Sequence, residues 1–409
     1  MNRLKLKTDK IGILLLYLYV FFSYIAHDIV FPSILNTIFL YMFIIWGVYT
    51  ILQTMRLRVS AYSKWYFAFL VYSMGIVLYS PKIEFLKNSQ FYLMIVTLVL
   101  TYLIVTTIKT ESDFKGIAWC YSISSFALVV LLFFTGNLVA TQDNRLGGEI
   151  VGNANTFAGM IMVAVMFELW LLIYATVNKM FLKCLLVCML ALNMYAMFLS
   201  GGRKFIIVPI FYLYVLLIIK RDKKGRRKVF KYTCLILLIM VSLYFLMMKI
   251  PVFYDIVGYR MQFLINSMIG KGEIGTSASL RSIMKAAAIK KWLSSPVWGY
   301  GFDSFKYYNL SVTGFSMYSH CNYTELLYNG GVFYFIIYYG FYAWMLRKLW
   351  KLKKLMRTEY LAFAVSIVLS VALFDYGAVA YSVANIQILL CLSYKVLEFK
   401  SKKYVRECM

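Results

Sequence analysis

Acidic residues, histidine and paired cysteine are all scarce in this 409-residue sequence, and each scarcity excludes a class of protein. Only two histidines occur, His27 and His320, so a histidine-rich metal site is excluded. The seven cysteines are scattered, mostly within apolar stretches and without a CxxC pair, which excludes a zinc finger or a disulfide scaffold. Asp and Glu number 17 against 43 Lys and Arg, and they form no cluster that would hold a divalent metal.

Apolar residues dominate the composition of the chain. They make up 62% of the chain, and the mean hydropathy is +0.73, whereas a soluble domain is about 45–50% apolar. Stretches of about 20 apolar residues, the length that crosses a hydrocarbon layer, recur about a dozen times. The sequence therefore predicts an all-α polytopic membrane protein with about 12 transmembrane helices. In such a protein a net charge of +26 is a topology signal, so no nucleic-acid partner is expected.

The predicted spans fall into a group of nine and a group of three. They are 11–27, 34–52, 62–79, 90–108, 117–135, 156–177, 180–199, 205–219, 231–249, 327–346, 360–375 and 378–395. This spacing predicts three regions: helices 1–9 in residues 1–249, a large loop at 250–326, and helices 10–12 with a tail at 327–409. The chain shows no internal repeat of the kind that many transporters carry.

The basic residues predict the orientation of these spans. With the N-terminus in the cytoplasm, 30 of the 43 Lys and Arg residues fall on the cytoplasmic side, as the positive-inside rule expects. Both termini and the basic run at 220–231 are then cytoplasmic, and the loop at 250–326 lies outside. Acids within the spans are limited to Glu168 and Asp375, fewer than an ion-coupled carrier usually needs. Glu168 is either a hydrogen-bonded packing residue or a functional one.

The outer loop is predicted to contain an amphipathic helix over 279–293. Apolar residues recur there at helical spacing, and Arg281 and Lys285, four residues apart, share another face. Such a helix either lies on anionic lipid headgroups or cradles a phosphate, a task that suits the planar guanidinium of Arg. Gly299 and Gly301 follow in a turn that would let the backbone approach a ligand closely.

Two shorter outer segments also contain polar motifs. Asn153 and Asn155 precede the sixth span, where they either cap a helix or contact a ligand. The motif Ser-Gly-Gly-Arg at 200–203 leads into the eighth span. Arg203 would lie there beside free backbone N–H groups, where it either binds an anion or extends towards the headgroups.

His320 is the only histidine in the outer loop, and it lies just before the tenth span. Its side chain is the one whose ordinary pKa suits general-base catalysis near neutral pH. Glu325 is the rival base, and it would otherwise orient His320, bind substrate hydroxyls or stabilise the start of a helix.

In this order the motifs resemble the O-antigen polymerase and O-antigen ligase superfamily of bacterial polysaccharide assembly. The resemblance rests on residues 152–158, 200–203, Arg281, 296–305 and 320–331. It covers about 145–335 by motif and the whole chain by topology. It implies a multi-pass protein of the bacterial cytoplasmic membrane that transfers a glycosyl group from an undecaprenyl diphosphate-linked oligosaccharide, with no metal or other cofactor.

The resemblance also implies roles for individual residues. Arg203 and Arg281 would neutralise the donor diphosphate, and His320 would activate the attacking hydroxyl. The residues expected to contact substrate are Lys285, Glu325, Asn322, Tyr323, Asn153, Asn155, Gly299 and Gly301.

Three functions remain open at this point. The favoured one is a polymerase that joins lipid-linked repeat units. A ligase that transfers finished polymer to an acceptor shares the same motifs, and a flippase for lipid-linked oligosaccharide shares the topology. Besides the lipid-linked substrate and membrane lipids, a chain-length regulator and a flippase are expected partners of a polymerase.

Overall fold

The computed structural model describes residues 2–55, 57, 59–81, 89–141, 145–174, 179–220, 225–268 and 276–407. Within these ranges all regular structure is helical, and no strand occurs. The predicted all-α class is therefore confirmed. Residues 221–224 of the predicted cytoplasmic basic run and 269–275 of the predicted outer loop lie outside the described residues.

Each predicted span overlaps a helix. The first ten helices are α1 (Asn2–Ile25), α2 (Ile34–Thr54), α3 (Ala61–Val77), α4 (Ser89–Thr107), α5 (Glu111–Phe134), α6 (Gly148–Val151), α7 (Ala154–Tyr174), α8 (Met180–Leu199), α9 (Arg203–Ile219) and α10 (Gly225–Lys249). A long connection then contains α11 (Pro251–Phe253), a π-helical turn (Tyr254–Gly258), α12 (Tyr259–Met268), α13 (Thr276–Trp292) and α14 (Phe305–Thr313). The chain closes with α15 (Asn322–Leu352), α16 (Thr358–Asp375) and α17 (Ala384–Glu407).

Seven of the described helices are long and apolar enough to cross a membrane, namely α2, α4, α5, α7, α8, the 229–249 part of α10, and α16. The buried fraction of each apolar stretch distinguishes helices at the centre of the bundle from helices at its periphery. The apolar stretch of α7 is 72% buried, whereas those of α2 and α10 are 11% and 6% buried. The central helix is surrounded by other helices, and the two peripheral helices present apolar side chains outward, as lipid-facing helices do.

The helices α9, α15 and α17 begin at the same end of the bundle at which α8, α10 and α16 finish, since Lys204 contacts Gly377, Asn322 contacts Ala380 and Gly201 lies against Ile256. The helices α11–α14 also lie at this end, which is called the site end below. At the opposite end Arg357 forms ion pairs with Glu111 and Glu359, at 2.6 Å in each case, and so ties the start of α16 to α5.

The helix α15 is broken at Gly331, whose φ of 67° and ψ of −165° are not helical. A Cβ at this position would lie 2.0 Å from the carbonyl oxygen of Val297, so only glycine allows this close approach. The N–H of Val332 donates to the carbonyl oxygen of Pro296 at 2.9 Å. The short helix at 322–330 therefore belongs to the site end, and the long part of α15 starts after the break.

The start of the last span was predicted wrongly. The sequence predicts a helix from 378, but α17 begins at Ala384. The side-chain oxygen of Asn322 accepts hydrogen bonds from the N–H groups of Ala380 and Tyr381, at 3.0 and 3.2 Å. These two N–H groups are thereby held in a loop, and the loop lies directly over the site end.

Candidate active site

The turn before α9 places Arg203 at the site end. Gly201 has a φ of 69°, and a Cβ there would lie 2.9 Å from the Cδ atom of Arg145. Arg203 begins the helix, and its Nη1 atom donates to the carbonyl oxygen of Arg260 at 2.9 Å. The glycine turn thus packs closely against Arg145 and Ile256, in the region where Arg203 contacts Arg260.

The helix α13 positions two further cations. Met284 and Ala288 are buried against Phe305 and Tyr328, which fixes one face of the helix. Lys285 lies on another side, with its Nζ atom 3.9 Å from the centre of the Tyr376 ring. Such a cation–π contact is favourable.

Arg281, one turn earlier on α13, is half-buried and close to other cations. Burial lowers the pKa of its guanidinium, the charge of Arg260 lowers it further, and Tyr318 opposes this shift. Burial and the charges of Arg260 and Arg281 likewise lower the pKa of Arg145. Arg203 lies within electrostatic range of both Arg281 and Arg260. The four guanidinium groups therefore repel one another.

Six cations meet in this region, and they are called the cation cluster: Arg145, Arg203, Lys204, Arg260, Arg281 and Lys285. In the described parts of the chain, none of the six forms an ion pair with a carboxylate. The ion pairs seen there lie elsewhere and involve Lys306, Arg357 and Lys395. Bringing like charges together in a half-buried place costs stability, and proteins accept such a cost mainly at functional sites. The arrangement suits a ligand with several negative charges.

His320 lies beside the cation cluster in a strained backbone conformation. Its φ is 57°, in the left-handed region that non-glycine residues seldom adopt. Its ring centre lies 4.5 Å from that of Tyr318. Among the described residues, no group forms a hydrogen bond with its ring nitrogens, so both remain available to a substrate.

The electrostatic surroundings keep this imidazole neutral. Burial lowers the pKa of His320 to about 4, and the nearby charges of Arg281, Lys204 and Lys285 act in the same direction. At neutral pH the ring is therefore unprotonated, which is the state that accepts a proton. A cluster of cations thus lies next to a neutral imidazole.

Comparison with known proteins agrees with this geometry. Residues 184–339 match the family model described as O-antigen ligase. Over these residues the chain is similar to the O-antigen ligase family. The predicted resemblance to the O-antigen polymerase and ligase superfamily is confirmed. No curated protein matches the chain.

The matched segment contains five members of the cation cluster as well as His320, whereas Arg145 precedes it. Sequence reasoning predicted roles for Arg203, Arg281 and Lys285 but missed Arg145 and Arg260, because neither lies in a recognisable motif. One signal was present. Arg260 is one of seven basic residues concentrated in the predicted outer loop, against the positive-inside trend.

Glu325 lies below His320 and shapes the loop that contains it. Its carboxylate is 1% exposed. It accepts a hydrogen bond from the N–H of Ser319 at 2.8 Å and another from the side-chain amide of Asn329 at 3.3 Å. A carboxylate engaged in this way fits the predicted role of orienting His320, since it fixes the residue immediately before it.

Asn322 and Tyr323 are engaged with the protein itself. The amide nitrogen of Asn322 donates to the hydroxyl of Tyr339 at 2.9 Å, in addition to the two bonds that its oxygen accepts. The hydroxyl of Tyr323 donates to the carbonyl oxygen of Ala372 at 2.7 Å. These bonds attach α15 to α16 and to the loop before α17, and substrate contact by either residue stays a prediction.

The other predicted contacts serve local backbone geometry. The side-chain oxygen of Asn153 accepts from the N–H of Asn155 at 2.8 Å, which caps the start of α7. Gly299 and Gly301 do permit a close approach, but to the chain itself. A Cβ at Gly299 would lie 2.6 Å from the carbonyl oxygen of Tyr328, and one at Gly301 would lie 2.5 Å from the Cα of Ser80. The structure thus brings together Arg203, Arg281, Lys285 and His320 only.

Replacing Asn322 by Ala should destabilise the protein. The change leaves two buried N–H groups unpaired, and each such loss costs about 1–3 kcal/mol. We expect a lower apparent melting temperature in detergent, measured by the loss of monodisperse protein after heating. Asn155→Ala is the matched control, because this side chain is half-exposed. Equal stability of the two variants would contradict the structural role of Asn322.

Proposed function

We propose that the protein is a metal-independent glycosyltransferase that polymerises undecaprenyl diphosphate-linked repeat units on the outer face of the bacterial cytoplasmic membrane. The observation that carries the proposal is the cation cluster, which forms no ion pair with a carboxylate of the described residues, with a neutral histidine beside it. A lipid-linked diphosphate offers the negative charge that such a cluster suits, and a sugar hydroxyl offers the proton that such a base accepts.

The reaction follows from these two parts. The acceptor hydroxyl oxygen attacks the anomeric carbon of the donor sugar, and its proton passes to His320. A new glycosidic bond forms while the bond between the anomeric carbon and the phosphate oxygen breaks. The electron pair leaves with the diphosphate, where the guanidinium groups of Arg203 and Arg281 stabilise the growing charge. Polyprenyl diphosphate is therefore the leaving group and needs no protonation.

A polymerase and a ligase would share this chemistry and differ in their acceptor. In a polymerase the acceptor is the end of another lipid-linked repeat unit, whereas in a ligase it is a different molecule. Deleting the gene separates them. Loss of the polymerase should leave single repeat units on the cell surface, and loss of the ligase should leave no surface polysaccharide of this type. The second outcome would move the proposal to the ligase.

The proposed location requires the site end to face outward. In a cysteine-free background, Lys290→Cys and Lys354→Cys place a thiol on an exposed residue at each end of the bundle. A membrane-impermeant maleimide applied to intact cells should label the first within minutes and the second only after permeabilisation. The reverse pattern would contradict the proposed orientation, and with it the access to lipid-linked sugars on the outer face.

A further inference from the structure

Four members of the cation cluster are arginines that lie around the glycine turn at 201. The Nη1 atom of Arg203 donates to the carbonyl oxygen of Arg260 at 2.9 Å, and a Cβ at Gly201 would lie 2.9 Å from the Cδ atom of Arg145. Arg281 lies within electrostatic range of all three. A guanidinium is a planar fork that binds two oxygens at once, as a phosphate requires. The four arginines therefore form the part of the cluster that suits the diphosphate of the donor.

The two lysines of the cluster meet elsewhere, at the segment that follows α16. The Nζ atom of Lys204 donates to the carbonyl oxygen of Gly377 at 2.9 Å, and the Nζ atom of Lys285 lies 3.9 Å from the centre of the Tyr376 ring. Because Tyr376 and Gly377 are consecutive residues, both ammonium groups are held at one short segment. Tyr376 is 62% exposed, so this segment lies at the surface of the protein.

Both lysines act on the proposed base. The charges of Lys204 and Lys285, together with that of Arg281, contribute to the low pKa of His320. In the proposed reaction this histidine accepts the proton of the acceptor hydroxyl, so the sugar that carries the hydroxyl must lie beside the same charges. Each phosphate of a lipid-linked sugar diphosphate carries one negative charge, which the four arginines already exceed. The lysines are thus additional positive charge on the acceptor side.

We propose that Lys204 and Lys285 form a second anion site, called the acceptor anion site, which binds the carboxylate of an acidic acceptor sugar such as a uronic acid. The inference rests on the proposed function. An ammonium group has three N–H donors and acts as a point charge, which suits a single carboxylate better than it suits a bidentate phosphate. Lys204 uses one donor on Gly377, and its others can face a ligand.

The protonation of Lys204 agrees with a missing negative ligand. Burial lowers the pKa of this amine to about 7, and the charge of Arg281 acts in the same direction. A carboxylate bound beside it would raise the pKa again and restore the full positive charge. A neutral sugar in the same place would leave the amine without this compensation. The acceptor anion site would therefore select acidic over neutral acceptors.

The composition of the natural product gives the first test. The polysaccharide that is lost or shortened when the gene is deleted is purified, and its repeat unit is determined by mass spectrometry and NMR. The proposal expects a sugar with a carboxylate at the end of the repeat unit that serves as acceptor. A neutral repeat unit, or one whose charge comes from a phosphate substituent alone, would overturn it.

Inhibition of elongation by free sugars tests binding directly. Purified full-length protein in detergent elongates the lipid-linked repeat unit of the producing bacterium in the presence of glucuronate or galacturonate, with glucose and galactose as neutral controls. We expect the better acidic sugar to inhibit at a concentration about tenfold or more below that of its neutral counterpart, the equivalent of one charge-assisted hydrogen bond.

Lys285→Gln separates the acceptor anion site from the rest of the cluster. It should abolish the preference for the acidic sugar and raise KM for the repeat unit about tenfold, with a much smaller change in kcat. Lys285→Arg keeps the charge and should restore both. Lys290→Gln, which removes a cation from an exposed position of the same helix, is the matched control and should change neither. All three variants should still be stabilised against heat by inorganic pyrophosphate, because the arginines remain.

These measurements distinguish failure of this inference from failure of the proposed function. If the unaltered protein forms polymer, then equal inhibition by acidic and neutral sugars, or an unchanged KM in folded Lys285→Gln, overturns the acceptor anion site alone. The same holds if Lys285→Gln only moves the acid limb of kcat/KM to higher pH, since the lysine would then act on the pKa of His320 without binding substrate. If the unaltered protein forms no polymer from lipid-linked units, the proposed function fails and this inference with it.

Discussion

Arg281→Ala should lose about 10- to 150-fold in transfer rate, since a charge-assisted hydrogen bond contributes about 1.5–3 kcal/mol. Arg203→Ala should lose a similar amount. Arg281→Lys should recover only part of the rate, because an ammonium group cannot bind two phosphate oxygens in the way a guanidinium does. The rate is measured as polymer formed by purified protein from a lipid-linked repeat unit.

Lys290→Ala is the control for Arg281, because it removes a cation from an exposed position of the same helix. It should leave the rate unchanged. Thermal stability gives an independent readout of binding. Inorganic pyrophosphate should raise the melting temperature of the unaltered protein, and the rise should shrink in Arg281→Ala. If folded Arg281→Ala keeps a normal transfer rate and a normal rise in melting temperature with pyrophosphate, Arg281 does not bind the diphosphate. The helix α13 would then be interpreted as one that lies on the membrane surface.

The second large effect is expected at His320. Loss of a general base typically costs about 10²- to 10⁴-fold, so His320→Ala should form no visible polymer. The variant should still bind the lipid-linked donor, because the cation cluster is intact. His27→Ala alters the only other histidine in the chain and is the matched control. Normal polymer from well-folded His320→Ala would remove this residue from the mechanism and leave Glu325 as the base.

The pH dependence gives a finer test of the same role. His320 acts as a base only when neutral, and its pKa in the free protein is lowered to about 4. The value of kcat/KM should therefore stay level through neutral pH and fall only as the pH drops towards 4. When the diphosphate is bound, its negative charge lies beside the ring and raises the pKa of His320, because it stabilises the imidazolium. The fall in kcat, which reports the substrate complex, should therefore occur at higher pH than the fall in kcat/KM. Both limbs should disappear in His320→Gln.

The sequence predicted the helices well because each buries or exposes a long apolar run. It failed at the start of α17, where residues 378–383 are apolar enough to resemble a helix. What prevents a helix there is Asn322, more than 50 residues earlier, whose side chain binds two backbone N–H groups of this segment. No local pattern contains that information.

The residues of the candidate site also divide into those that the sequence could predict and those that it could not. Arg203, Arg281 and His320 lie in recognisable motifs, so their joint role could be predicted before their geometry was known. Arg145 and Arg260 join them only because the glycine turn at 201 and the backbone of the long connection bring distant segments into contact. The low pKa of His320 is likewise a product of burial and of charges that meet only in the folded chain.

Stoichiometric release of polyprenyl diphosphate tests the central claim most directly. Purified protein in detergent is given an undecaprenyl diphosphate-linked repeat unit and a metal chelator, without any nucleotide sugar. The account predicts a ladder of longer lipid-linked products, with one undecaprenyl diphosphate released for each new glycosidic bond. Both should form about 10- to 150-fold more slowly with Arg281→Ala, and neither should be visible with His320→Ala. A folded, unaltered protein that forms no bond under these conditions, but does so from a nucleotide sugar with a divalent metal, would contradict it.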